Sequence, residues 1–133
     1  MNGIADTGFL VAFISRADKY HEWALNIAEQ ITEPLLTCES VLSEAAFHTR
    51  SDHVFDAMNL GLIALAFNCD DHLPQLEWLG KRYVDRKPDF ADLCLIRMSE
   101  LFPRHAVITT DRADFRVYRR NKREVIPLIC PPE

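Results

Sequence analysis

Apolar positions along the chain fall into two kinds of run. Short continuous runs, Gly3-Ile4-Ala5, Leu35-Leu36-Thr37, Leu62-Ile63-Ala64-Leu65, Ala106-Val107-Ile108-Thr109 and Val125-Ile126-Pro127-Leu128, read as five strands. Between them, apolar residues recur at three- and four-residue spacing, the period of a helix with one buried face. This pattern predicts helices over Thr7 to Ile14, Asp18 to Ile31, Ser40 to Arg50, His53 to Leu60, Asp70 or Asp71 through Tyr83, and Asp89 to Phe102, with a short basic helix after Asp111.

The punctuation agrees with these spans. Pro34, Pro88 and Pro103 stop or separate helices, and Pro74 is tolerated in a first helical turn. Ser51-Asp52 reads as a capping signal and Gly61 as a C-terminal cap, while Pro127 suits an edge strand. In the fifth helix Leu73, Leu76, Leu79 and Tyr83 mark the inner face. The sixth is apolar nearly all round, from Phe90 through Leu93, Cys94, Leu95, Ile96 and Met98 to Leu101, so it is expected deep in the protein. Trp23, Ile27 and Ile31 form a stripe that is core or interface.

Strands alternating with helices at this spacing predict an α/β fold: one three-layer α/β/α domain over residues 1–133, with a central, mainly parallel five-stranded sheet. A chain of 133 residues buries about two thirds of its unfolded surface and needs no covalent staples. Its four cysteines, Cys38, Cys69, Cys94 and Cys130, show no C-x-x-C pair and are expected as reduced thiols, Cys94 as a core residue. No apolar run approaches a membrane span and nothing resembles a signal peptide, which points to a cytosolic protein. A formal net charge of -5 argues against strong nonspecific binding to polyanions. Basic residues nonetheless cluster between Arg112 and Arg123, as a solvated helix face or a phosphate-backbone contact.

Carboxylates at four positions change this picture. Asp6 ends the first strand, Glu44 lies in the helix after the second, Asp92 stands one turn into the apolar sixth helix, and Asp111 follows the fourth strand. Right-handed crossovers bring strand C-termini and helix N-termini to one sheet edge, where ligands of α/β folds sit. Each acid alone has a simpler role: Asp6 and Asp111 as helix caps, Asp92 as a dipole partner behind a capping Asp89, Glu44 on a polar stripe with Ser40 and His48. Together, carboxylates about 5 Å apart repel by roughly 3 kcal/mol per pair at an effective dielectric near 20. A hard divalent cation with oxygen ligands, Mg²⁺ or Mn²⁺, offsets that repulsion without any His or Cys ligand.

Four segments resemble the PIN-domain nucleases, particularly the VapC-type ribonuclease toxins of toxin-antitoxin pairs. They are Ile4-Ala5-Asp6-Thr7-Gly8-Phe9-Leu10, Ser43-Glu44-Ala45, Asp89-Phe90-Ala91-Asp92-Leu93, and Val107-Ile108-Thr109-Thr110-Asp111-Arg112-Ala113-Asp114-Phe115. The similarity extends over essentially the whole chain. It implies that Asp6, Glu44, Asp92 and Asp111 are the catalytic acids, with Asp114 an auxiliary ligand and Thr7 and Thr109 orienting ligands or phosphate oxygens. The implied activity is Mg²⁺- or Mn²⁺-dependent hydrolysis of RNA phosphodiesters, with Arg112 and Arg116 as phosphate contacts. The implied partners are the RNA, a small antitoxin protein and a second copy of the chain in a homodimer. The sequence departs from the usual family look in its acidity and in Cys94-Leu95, where small residues are commoner. Two rivals are an inactive PIN-like interaction module and an acidic-pocket phosphatase with Asp6 as nucleophile; the latter needs a lysine at a strand end, and none stands there.

Overall fold

The computed structural model describes residues 1–133. Five strands, β1 (Gly3–Ala5), β2 (Leu35–Thr37), β3 (Ile63–Leu65), β4 (Ala106–Ile108) and β7 (Leu128–Ile129), form one sheet in the order β3-β2-β1-β4-β7. Every pairing in it is parallel, with Ile4 opposite both Leu36 and Val107. The first strand is therefore central, and Ile4, Ala5, Val107 and Ile108 are fully buried, as strands covered on both faces require. A separate antiparallel hairpin joins β5 (Arg119–Arg120) to β6 (Glu124–Val125).

Strand order steps one way from β1 to β2 to β3, then jumps back past β1 to β4. Right-handed crossovers accordingly put α1 (Thr7–Ile14), α2 (His21–Glu29), α3 (Glu39–His48) and α4 (Ser51–Asn59) on one face of the sheet. They put α5 (Leu73–Arg82) and α6 (Phe90–Leu101) on the other, and α7 (Arg112–Phe115) follows β4. The reversal lies between β1 and β4. A crevice opens outside the C-terminal ends of two such strands, where a ligand can enter between diverging connections.

Burial of Leu93, Cys94, Leu95, Ile96 and Met98 makes α6 the best-covered helix, as its all-round apolar character predicts, although Phe90 and Leu101 at its ends are exposed. Gly61 ends α4 with φ 78°. Its N–H donates to Met58 O and that of Leu62 to Ala57 O, the paired bonds that close a helix through a left-handed residue. Gly8 serves a different need: a Cβ there would overlap Thr110 Oγ1, so its absence lets the first turn of α1 approach the chain leaving β4.

Several expectations need correction. The Ser51-Asp52 cap does not form: α4 starts at Ser51, and Asp52 instead takes both Arg50 Nε and Nη2 at 3.0 and 2.9 Å. Neither Asp70 nor Asp71 caps α5. A 3₁₀ turn over Cys69–His72 precedes that helix, and Asn68 Oδ1 caps the turn by accepting from Asp70 N. Leu73, taken for an inner-face residue, is exposed because α5 has only begun there. The last predicted strand splits, since Pro127 has no N–H to continue a ladder. Glu124–Val125 pairs within the hairpin, and only Leu128–Ile129 joins the sheet, as its edge.

Candidate metal centre

Asp6 leaves β1 at the reversal point, and its carboxylate is almost fully withdrawn from water. One oxygen accepts from Thr7 N at 2.6 Å, so the side chain caps α1. The other accepts from Thr109 Oγ1 at 2.5 Å, across the β1–β4 seam. That hydroxyl in turn accepts from Asp111 N at 2.9 Å, and Asp111 Oδ1 accepts from Asp114 N at 3.1 Å, capping α7. A single chain of hydrogen bonds thus runs from the end of β1 to the start of α7. Capping and orientation are one act here: the same bonds that satisfy orphan helix N–H groups aim the acids.

Asp92 reaches the crevice from the opposite face, on the first turn of α6. Its Oδ2 accepts from Tyr118 OH at 2.9 Å. Carboxylate oxygens of Asp92, Asp111 and Asp114 lie within 4.8 Å of one another. Asp114 Oδ1 also takes Arg86 Nη2 at 2.7 Å, the one cation in direct contact with this group. Glu44 stands at the rim, half-buried, where Thr7 Oγ1 donates to its Oε2 over a long 3.4 Å.

The electrostatics follow from this crowding. Burial first, and then the nearby Asp111 and Glu44 charges, push the Asp6 carboxyl up to about 6, against the lowering pull of its bonds to Thr109 and Thr7. Burial and the charge of Asp6 push Asp92 further, to about 7, with only the Tyr118 bond opposing. Asp111 is raised by burial and by Asp114, and Glu44 by burial and by Asp89. Tyr118 is held in its neutral form by burial and by the adjacent Asp92.

These residues fit a divalent cation. All the donors are carboxylate oxygens, their spacing lets several meet one ion, and one arginine does not balance their combined charge. The structure brings together Asp92, Asp111 and Asp114; Asp6 stands outside that trio, joined to the Asp111 backbone through Thr109, and Glu44 and Thr7 lie at the edge. Arg112 and Arg116 lie on α7 and just after it, but both pair with Glu133, at 3.3 and 3.2 Å, and Arg112 Nη2 also donates to Pro131 O. Sequence reasoning missed Tyr118 and Arg86. The signal for Tyr118 was present: Phe115 and Tyr118 stand three apart inside an otherwise basic run, the mark of one buried face.

Sheet order and helix layering make an α/β fold consistent with the PIN domain that the sequence resemblance implies. A solved structure with this fold is Mycobacterium tuberculosis VapC20, described as a Sarcin-Ricin loop cleaving toxin. It superposes with a TM-score of 0.61 over 77% of this chain and 84% of that chain, at 18% sequence identity. Likeness at that identity is a likeness of fold. No protein-family model matches the chain, and no curated protein matches it by sequence. No helix is long and apolar enough to cross a membrane.

Proposed function

We propose that this protein is a Mg²⁺- or Mn²⁺-dependent endoribonuclease, acting in the cytoplasm as the toxin of a toxin-antitoxin pair. The observation that carries the reading is the meeting of Asp92, Asp111 and Asp114 oxygens within 4.8 Å at the β1–β4 crevice, with Asp6 tied to Asp111 through Thr109. The fold shared with VapC20, a toxin that cleaves an RNA loop, supports the same reading. A small antitoxin and a homodimeric assembly are the partners that belong with it.

Asp92, Asp111 and Asp114 hold the cation, and Asp6 and Glu44 complete its acidic surroundings. When bound, Mg²⁺ or Mn²⁺ supplies Lewis acidity towards water and the phosphate oxygens. Thr109 fixes the Asp6 carboxylate and the Asp111 backbone in one register, and Tyr118 holds one Asp92 oxygen so that the other stays available. Without a cation, Asp92 can retain a proton near neutral pH, so cation and proton compete for this carboxylate. Arg112 and Arg116 would meet substrate phosphates only by giving up their shared partner Glu133. No protein nucleophile is required.

The test is incubation of wild type and Asp92→Asn with total RNA and Mn²⁺, mapping the cleaved ends. Discrete ends with wild type, lost on chelation and in the variant, are expected. Equal cleavage by Asp92→Asn refutes the assignment.

A further inference from the structure

Two cations without an acidic partner stand together where α5 meets the β5–β6 hairpin. Lys81, Arg86, Arg97, Arg112, Arg116 and Arg120 are each in an ion pair. Arg82 and Lys122 are among the eight lysines and arginines that are not. Both lie over Trp78, with the Arg82 guanidinium 5.4 Å and the Lys122 ammonium 5.8 Å from the ring centroid. Trp78 is 44% exposed on a surface of a chain whose other tryptophan, Trp23, packs edge-on against the buried Phe9. A hollow of about 330 Å³ opens beside it, between Trp78, Arg97, Glu100 and Lys122.

The hairpin tip is built to hold Lys122 there. Asn121 and Lys122 have φ of 48° and 72°, a backbone region that side-chain-bearing residues seldom adopt. Asn121 N donates to Glu100 Oε2 at 2.7 Å, tying the strained turn to α6. A buried chain of rings links this surface to the acids. Arg82 lies 5.2 Å from the Tyr83 ring, Tyr83 meets Tyr118 edge-on at 5.0 Å, and Tyr118 OH donates to Asp92.

We propose that Trp78, Arg82 and Lys122 form a docking strip for unpaired nucleotides flanking the cleaved bond, a base stacking at Trp78 and phosphates meeting the two cations. The strip rests on the endoribonuclease reading for its ligand, and its chemistry selects a single strand. An exposed indole can stack only on a base that is not already stacked in a duplex, and unpaired cations attract the backbone without reading sequence.

The test uses the full chain in EDTA, where no cleavage occurs, and a fluorescein-labelled ten-nucleotide oligouridylate. Saturable quenching of tryptophan emission is expected for wild type. By fluorescence anisotropy, Trp78→Ala should bind between about 5-fold and about 100-fold more weakly, the usual loss for a stacking aromatic, with Trp78→Phe recovering most of it. Arg82→Ala and Lys122→Ala should each lower the slope of log affinity against log salt by about 0.7. Absence of quenching, or equal affinity of Trp78→Ala and wild type, overturns the strip. Cleavage of the same oligomer with Mn²⁺ is scored separately. Cleavage without a Trp78 effect removes the strip and leaves the nuclease, whereas a Trp78 effect without cleavage does the reverse.

Discussion

Asp6 and Asp92 face the same crevice from opposite sides of the sheet, and both carboxyls are pushed well above the ordinary range, yet they are satisfied in different ways. Asp6 has a hydrogen bond on each oxygen, from Thr7 N and from Thr109. Asp92 has a bond on one oxygen only, from Tyr118, and its carboxylate meets Asp111 and Asp114. The difference assigns the two acids different work. Asp6 ties β1 to β4 and sets the register of the loop that carries Asp111. Asp92 is the open carboxylate of the two, the one that a cation would meet on the proposed reading.

The largest effect expected from breaking this contrast is on Asp92. Asp92→Asn should lower metal-dependent cleavage about a hundredfold or more, while the fold survives because the amide removes a repulsion. Initial rates on a labelled RNA together with a thermal melt measure both. Next is the pH dependence of the metal-free protein. The folded state keeps protons on Asp6 to about 6 and on Asp92 to about 7, whereas the unfolded chain releases them near 3.8. The folded form therefore binds more protons between pH 4 and 7, and stability must fall as pH rises through that window, by about 3 kcal/mol from Asp6 alone. Urea titrations in EDTA at pH 5 and pH 8 measure the loss, and Mn²⁺ should reduce or reverse it.

Thr109→Val then separates the two walls. It leaves a buried Asp6 oxygen and the Asp111 N–H without their partner and should cost about 1–3 kcal/mol in urea unfolding. Tyr118→Phe is the milder counterpart on the other wall. Asp92 loses the bond that favours its ionised form, so metal affinity should fall about tenfold, with a smaller change in stability, read by calorimetric titration at pH 7. Were Tyr118→Phe to cost more stability than Thr109→Val, the contrast between a tying acid and an open acid would be reversed.

Much of this architecture was legible in the residues, because strand and helix periods are local. The runs at Ile4-Ala5 and Val107-Ile108 identified buried strands, and topology alone then carried Asp6 and Asp111 to one edge. What was not legible was partnership. The Asp6 cap of α1 could be read from its place at a strand-to-helix turn, but nothing in the spacing shows that Thr7 Oγ1 reaches Glu44, or that Arg86, read only as part of a helix break, turns back to Asp114. Arg112 and Arg116 read as free phosphate contacts, whereas folding brings Glu133 onto both. Such pairings depend on tertiary approach, and a hydrogen bond between residues 103 apart leaves no mark on either neighbourhood.

The central claim is that these carboxylates hold a divalent cation, and the most direct measurement is the thermal midpoint at pH 7.5 with increasing Mn²⁺. A saturable rise is expected, equivalent to about 2.7 kcal/mol at a hundredfold excess over Kd, reversed by EDTA and abolished in Asp92→Asn. No shift at millimolar Mn²⁺, or the same shift in Asp92→Asn, would contradict it.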